Sequence, residues 1–372
     1  MKRGVVLALV LASRVASAEE LVVAADPAPA APAFAPWQTA RLALELELYS
    51  QARWTRRAGD DLSDLRLDRG ELGGRVALGP CAAAELRLEA IRSAVEGGSL
   101  GIDGDSTVVR VKTAQITGSF ALGERAPGHG AAPSLRLDGA IGFVPDPWIA
   151  TLEDGYPVKP LSRTGSERLL AWPTSDLSAL ARASAGPLRL SISVGNGEGL
   201  RFPERNAGKT TTAVLELVPL HRGAQRLTLA LVGRDGSLGV ASVRDRRVGG
   251  SATLVTPWLR VGGEAIRAWG IGDRGAAQGT LLGGWAEGRV IEHAFVAARA
   301  ATLGFDGGGR ASTLGAAIAV EPWHAGRGRL RLWLAVDRLT TSGAAMPLPG
   351  ADAGDATLVM LIASVTAPFT LE

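Results

Sequence analysis

Cysteine, tyrosine, lysine and histidine are all scarce in this chain, and the shortages remove whole classes of chemistry. Cys81 stands alone, which excludes a disulfide framework and a thiolate metal site; it reads as a small apolar residue near a turn. His129, His221, His293 and His324 fall outside any HExxH or paired spacing. The glycines at 307–309 lack the lysine and following helix of a phosphate loop and read as a loop tip. The sequence therefore predicts no metal site, no cofactor and no enzyme. Long apolar runs are missing too. Nothing beyond the N-terminal region approaches the ~18 consecutive apolar residues of a membrane helix, so a membrane crossing would have to be made by strands.

Net charge is also lacking. The formal +3 comes from Lys2, Arg3 and Arg14, all within the first 18 residues. That stretch has a basic start, a short apolar core (VVLALVLA) and Ala16-Ser17-Ala18, and it reads as a cleaved secretory signal peptide. The rest balances at 37 basic and 37 acidic residues, 40 less those three against 37, giving no support for nucleic-acid binding. After the cut only Lys112, Lys159 and Lys209 remain as lysines. Residues 19–36, rich in alanine and proline, form an extended leader outside any core.

Glycine is abundant, 48 of 372 residues, which favours turns and strands over long helices. From Trp37 onward the hydrophobic period is two. Leu42, Leu44, Leu46 and Leu48 alternate with Ala43, Glu45, Glu47 and Tyr49. Leu188, Leu190, Ile192 and Val194 alternate with Arg189, Ser191, Ser193 and Gly195. Leu330, Leu332, Leu334 and Val336 alternate with Arg331, Trp333, Ala335 and Asp337. Each such segment has one apolar and one polar face. The polar faces repeatedly carry charges of both signs, which suits a wet lumen. The segments are near the ~9–11 residues a tilted strand needs to cross a bilayer.

Prolines followed by short polar links (Gly79-Pro80-Cys81, Val218-Pro219-Leu220-His221, Thr256-Pro257-Trp258, Glu321-Pro322-Trp323-His324) read as strand ends, with tryptophan at the membrane interface. Glycine- and aspartate-rich stretches such as 234–250 and 340–355 read as long loops. The layout gives eight hairpins. It predicts an all-β, antiparallel transmembrane barrel over 37–372 with about 16 strands, 14 to 18 being compatible. Short periplasmic turns and longer extracellular loops join the strands. Expected strands include 209–218, 225–235, 249–256, 279–287, 289–303, 311–321, 327–339 and 355–367. A parity change in the second strand, from Leu65 and Leu67 to Leu72, Val76 and Leu78 beside Gly70, Gly73 and Gly74, predicts a bulge.

Alternation sets the candidate pore lining: Arg87, Arg110, Lys112, Arg136, Arg189, Arg329 and Arg331, together with acidic neighbours such as Glu85 and Glu89. Arg110, Lys112 and Arg136 are expected to form one basic wall. Residues 145–173 break the alternation. Trp148, Ile149, Tyr156, Leu169, Leu170 and Trp172 need somewhere to pack, and folding into the barrel mouth as a constriction loop would provide it. Glu153, Asp154, Lys159, Arg163 and Arg168 would then narrow the pore.

Residues 174–220 resemble the phosphate-selective porin family of outer-membrane channels. The match lies in Ser175-Asp176-Leu177, the turn Gly186-Pro187, the strand end Val194-Gly195-Asn196-Gly197-Glu198-Gly199, and Asn206 and Lys209 leading a strand that ends at Pro219. The resemblance implies a 16-stranded barrel in the bacterial outer membrane, a homotrimer, an inward third loop and arginines along an anion path. The outer-membrane barrel read from the sequence would have outer-membrane lipid and the barrel-assembly machinery as partners. The function expected is passive diffusion of small hydrophilic solutes with a preference for anions such as phosphate; the alternative is a structural or surface-display barrel without an open pore.

Overall fold

The computed structural model describes residues 42–371 apart from 58–59, 94–105, 123–134, 158–162, 198, 200–207, 238–243, 272–276, 326–327 and 344–355. Its first strands are β1 (Leu42–Arg57), β2 (Asp60–Ala77), β3 (Ala82–Ser93), β4 (Ser106–Leu122) and β5 (Leu135–Pro145). Two helices follow, α1 (Pro147–Gly155) and α2 (Gly165–Leu169). Next come β6 (Ser175–Ala185), β7 (Leu188–Gly195), β8 (Thr210–Arg222), β9 (Gln225–Ser237), β10 (Arg244–Val255) and β11 (Leu259–Trp269). The last are β12 (Gln278–Ile291), β13 (Ala294–Phe305), β14 (Arg310–Ala325), β15 (Gly328–Ser342) and β16 (Ala356–Leu371).

Each strand pairs antiparallel with its sequence neighbours. β1 closes the sheet on β16 in a continuous register from Leu42↔Leu371 to Arg56↔Thr357, so the sixteen strands form a closed barrel. Closure leaves no free edge. At sixteen strands the interior is too wide for the strands' own side chains to fill.

The pleat decides which residues face in. In β13, Phe295, Ala297, Arg299, Ala301 and Leu303 are buried inside while Val296 and Ala300 face out. The outer surface is a belt of leucine, isoleucine and valine, with Leu231 and Leu314 each 63% exposed. Such a surface is stable only against something equally apolar. The hydrophobic core sits inside the barrel, where α1 and α2 pack on the inward faces of the strands.

Several boundaries differ from the sequence expectation. Strands 209–218 and 311–321 do not stop at their prolines: β8 runs to Arg222 and β14 to Ala325. Pro219 and Pro322 sit where the register slips, between Leu217 and Leu220 and between Val320 and Trp323. A bulge leaves a residue without a ladder partner, which suits one that has no N–H to give. The stretch 234–250 is not one long loop. β9 extends to Ser237 and β10 starts at Arg244, because Arg234, Asp245 and Arg247 are inward-facing strand residues, not solvated tips. The turn placed near 288 lies at 292–293, after Val290 and Ile291 on the apolar belt. The bulge expected in the second strand is at Asp68, which the pairing skips between Tyr49↔Arg69 and Ser50↔Leu67.

Connections 78–81, 186–187, 223–224, 256–258 and 292–293 lie at one end of the barrel, and 146–174 and 196–209 at the other. The length rule has exceptions. Strands β4 and β5 are joined by 123–134 at the short-turn end, and β1 and β2 by 58–59 at the loop end.

Candidate functional site

The site is the lumen, and its most distinctive part is the segment between β5 and β6. Asp146 and Pro147 start α1 in a standard way: the aspartate side chain accepts from Trp148 N (2.9 Å) and Ile149 N (3.4 Å), and proline takes the first helical position. Thr164 and Glu167 form a reciprocal capping box on α2. The two short helices turn Trp148, Ile149, Leu152, Leu169, Leu170 and Trp172 against the barrel wall, all at most 2% exposed, and they join Val214, Ile266, Leu281 and Leu303 in one cluster. Trp285 Nε1 donates to the Gly155 carbonyl (3.3 Å) and its ring meets Tyr156 edge-on at 5.3 Å. Tyr156 Oη donates to the Arg163 carbonyl at 3.1 Å. Burial pushes the Tyr156 phenol up from its ordinary value.

Polar ties fix the segment further. Ser166 N and Oγ both donate to the Glu264 carboxylate, the first at 3.2 Å. Arg168 Nη1 binds Asp337 Oδ2 (2.5 Å), whose other oxygen takes Arg299 Nη2 (2.6 Å). Burial pulls the Arg168 guanidinium down from its usual value, and Asp337 opposes that. Thr151 Oγ1 donates to Glu216 Oε1 at 2.5 Å. Trp172 lies under two guanidinium groups, those of Arg247 at 4.7 Å and Arg234 at 5.5 Å. Those arginines share Asp245, at 2.7 and 2.9 Å. Arg234 also reaches Asp146 at 3.3 Å, yet burial still leaves the Asp146 carboxyl above the ordinary carboxylate range.

Gly155 gives a direct check on this packing. A Cβ there would collide with the Thr253 methyl. Gly155→Ala is expected to lower the unfolding free energy by about 1–3 kcal/mol, the usual cost of overpacking. Most of that loss should vanish in a Thr253→Ala background, read as the temperature at which the heat-modifiable gel band converts.

On its open side α1 borders a cavity of about 710 Å³. Eight basic side chains (Arg69, Arg87, Lys112, Arg182, Arg189, Arg260, Arg329 and Arg331) and five acidic ones (Glu71, Glu85, Glu153, Asp154 and Glu216) line it. Arg87 and Lys112 both pair with Glu71, at 3.2 and 2.8 Å. Arg110 grips Glu89 at 2.6 Å. Arg69 bridges Glu71 and Glu89, at 2.7 Å to each.

The expected basic wall of Arg110, Lys112 and Arg136 is not formed. Arg110 is neutralised by Glu89 on the adjacent strand and Lys112 by Glu71 two strands away. Arg136 lies far along β5 at the short-turn end, beside Ala121, and pairs with Asp138 at 2.8 Å. Arg189 binds Glu216 at 2.9 Å. Arg331 binds Glu321 (2.6 Å) and Glu287 (3.1 Å), with its guanidinium 4.1 Å over Phe295. Asp154 pairs with Arg226 at 2.6 Å, and Lys159 lies outside the described residues. Arg182 donates to Ser191 Oγ at 3.1 Å. Among the described residues, Arg182, Arg260 and Arg329 form no ion pair.

The stretch 174–220 is tied together by its own motif. Asp176 Oδ2 accepts from Gly197 N at 2.5 Å, and Lys209 Nζ donates to Asn196 Oδ1 at 2.9 Å. Gly197 has φ 91°, with Thr210 packed where a side chain would go. These residues fasten the β6–β8 mouth.

No family model and no curated protein matches the chain. Solved structures do. The anion-selective porin from Comamonas acidovorans is similar at 12% identity over 89% of this chain and 100% of its own, with a TM-score of 0.56. This is the porin fold. OmpF of Salmonella typhi, solved with daunomycin, is similar at 10% identity, 88% and 97% coverage and a TM-score of 0.58. OmpT of Vibrio cholerae, folded in vitro and described in a trimer form, is similar at 10% identity, 88% and 99% coverage and a TM-score of 0.52. At these identities the likeness is one of architecture. The porin fold explains why the lumen, and not a cleft between domains, is where the charged side chains meet.

Sequence reasoning missed Arg69, Glu71, Arg182, Glu216, Arg260 and Glu264. All lie on inward faces, and strict parity extended along each strand would have found them.

Proposed function

We propose that the chain is an outer-membrane diffusion channel for small hydrophilic solutes, preferring anions, with residues 145–173 as its constriction. The signal peptide and the outward apolar belt support export and insertion in a bilayer. The carrying observation is the excess of positive charge around the lumen cavity, eight basic against five acidic side chains, with Arg182, Arg260 and Arg329 forming no ion pair among the described residues. Fixed charge in a narrow, low-dielectric passage concentrates counter-ions of opposite sign. Glu153 and Asp154 on α1 line the same cavity as Arg69, Arg87 and Lys112, so the helix would bring acidic groups into a passage whose remaining lining is mainly basic. Phosphate is the anion that the 174–220 motif suggests, and a homotrimer is part of this reading.

Purified, heat-modifiable protein in a planar bilayer tests it. Stepwise conductance should appear, with a reversal potential in a salt gradient on the anion side. Folded protein that never conducts would leave the blocked, structural barrel as the better account, and a cation-side potential would remove the anion preference.

A further inference from the structure

The outward face of β12–β15 carries a second feature that solute passage does not use. Leu282, Gly284, Ala300 and Leu314 line a groove of about 680 Å³ on the outside of the barrel. Gly284, Ala300, Leu314 and Arg338 are successive register partners across the four strands. On the next row toward the long-loop end stand Leu282, Thr302, Ser312 and Thr340, with Thr302 and Ser312 sharing a hydrogen bond of 2.9 Å. Arg310 lies one row further, paired in register with Gly304 and Ser342.

The inward-facing neighbours of Arg338 are Asp337, bound to Arg299 inside, and buried Leu339. Its own side chain therefore points outward, to the lipid side. Toward the short-turn end the same face turns wholly apolar, through Val296, Ile318 and Leu334. The groove thus straddles the change from apolar to polar surface.

The charge balance on this face is telling. Arg244 and Arg246 both pair with Asp235, and Arg267 takes Asp306 at 2.7 Å. Arg310 and Arg338 form no ion pair among the described residues. A guanidinium beside exposed leucine at a bilayer boundary is expensive unless it meets an anion at headgroup level.

We infer that this groove holds a phosphate-bearing lipid of the outer leaflet, an acyl chain along Gly284 and Ala300 and the phosphate against Arg338 and Arg310. Glycine and alanine leave room where large side chains cover most of the outer wall. Thr340 and Ser312 supply hydroxyl donors beside the phosphate position. Arg is suited to that contact because its planar fork matches phosphate oxygens. The inference rests on the membrane-spanning reading. A barrel that conducts ions but shows no lipid preference overturns this inference alone.

The test uses the whole protein in nanodiscs of phosphatidylcholine doped with phosphatidylglycerol, with spin-labelled versions of each lipid reporting the immobilised fraction. Wild type should immobilise phosphatidylglycerol about thirtyfold in preference to phosphatidylcholine, the ratio that about 1 kcal/mol for each of two uncompensated arginines gives. Arg310→Gln with Arg338→Gln should bring that ratio close to one. Arg244→Gln with Arg246→Gln, whose partners are already in place, should leave it unchanged. Ala300→Trp, which fills the groove while keeping both arginines, should lower the immobilised fraction of either lipid. Equal immobilisation of the two lipids by wild type, or an undiminished preference in the Arg310/Arg338 variant, refutes the assignment. So does loss of the phosphatidylglycerol signal on adding millimolar inorganic phosphate, which would make the arginines a site for the free ion. A Leu314→Cys variant that cross-links to itself in high yield would place a second copy in the groove, and would also refute it.

Discussion

Arg182→Glu, Arg260→Glu and Arg329→Glu together are expected to reverse the proposed anion preference and give a cation-preferring channel. The argument is a count around one cavity. Eight basic less five acidic side chains leaves an excess of three positive charges, and three reversals leave five against eight, a deficit of three. The three arginines are chosen because they form no ion pair among the described residues, so each reversal orphans no carboxylate. Screening sets the conditions. The Debye length is about 10 Å at 0.1 M salt and about 30 Å at 0.01 M, so the shift in reversal potential should be largest in dilute salt and shrink as salt rises. Single-channel conductance should change much less than selectivity, because the width of the passage is untouched. A triple variant that conducts with wild-type ion preference would show that selectivity is set elsewhere, most directly at Arg69 and Lys112.

Asp337→Ala should be the most destabilising single change in the lumen. Asp337 holds Arg299 and Arg168 at once, the first of them almost wholly buried. Removing the carboxylate leaves a buried guanidinium without its counter-charge, a loss of about 3–5 kcal/mol where a buried pair is broken from one side. It also cuts the tie between α2 and β15. Two readouts should move together: the heat-modifiable transition should fall, and single-channel records should become noisy as the inward segment samples other positions. Asp337→Asn, which keeps an acceptor but not the charge, should fall between the two. Wild-type heat stability in Asp337→Ala would show that the two guanidinium groups are satisfied in some other way.

The barrel was legible because leucine, isoleucine and valine report the pleat directly. About sixteen strands and most of their centres follow from alternation taken together with the proline-marked turns and the long loops. Legibility failed where the inward face is charged and the outward face is short of large apolar residues. Arg234, Asp245 and Arg247 lie close to Gly233, Gly236, Gly249 and Gly250, and so resemble a loop. Arg299 sits among alanines, where no period is visible. Proline misled for a different reason: it marks a missing donor, which a bulge satisfies as well as a strand end does. The helices between β5 and β6 did have local signals in Asp146-Pro147 and Thr164-x-x-Glu167. Those signals give helix starts but not the wall against which the helices rest. The basic wall failed because parity gives a residue's face, while its partners depend on register, and register shifts at Asp68 and Lys112 bring Glu71 and Glu89 among the cations.

The seam between β1 and β16 has a consequence in time as well as in space. Arg56 meets Thr357 and Leu42 meets Leu371, so the strand made first must wait for the strand made last. Every other pairing joins sequence neighbours and can zip as the chain lengthens. This one closes a loop the length of the barrel, the costliest and slowest kind of contact to make. Until it forms, two leucine-rich strands carry open edges, each able to pair with the wrong partner. The last step of folding is therefore also the moment at which a crowded population of nascent chains is most exposed to one another.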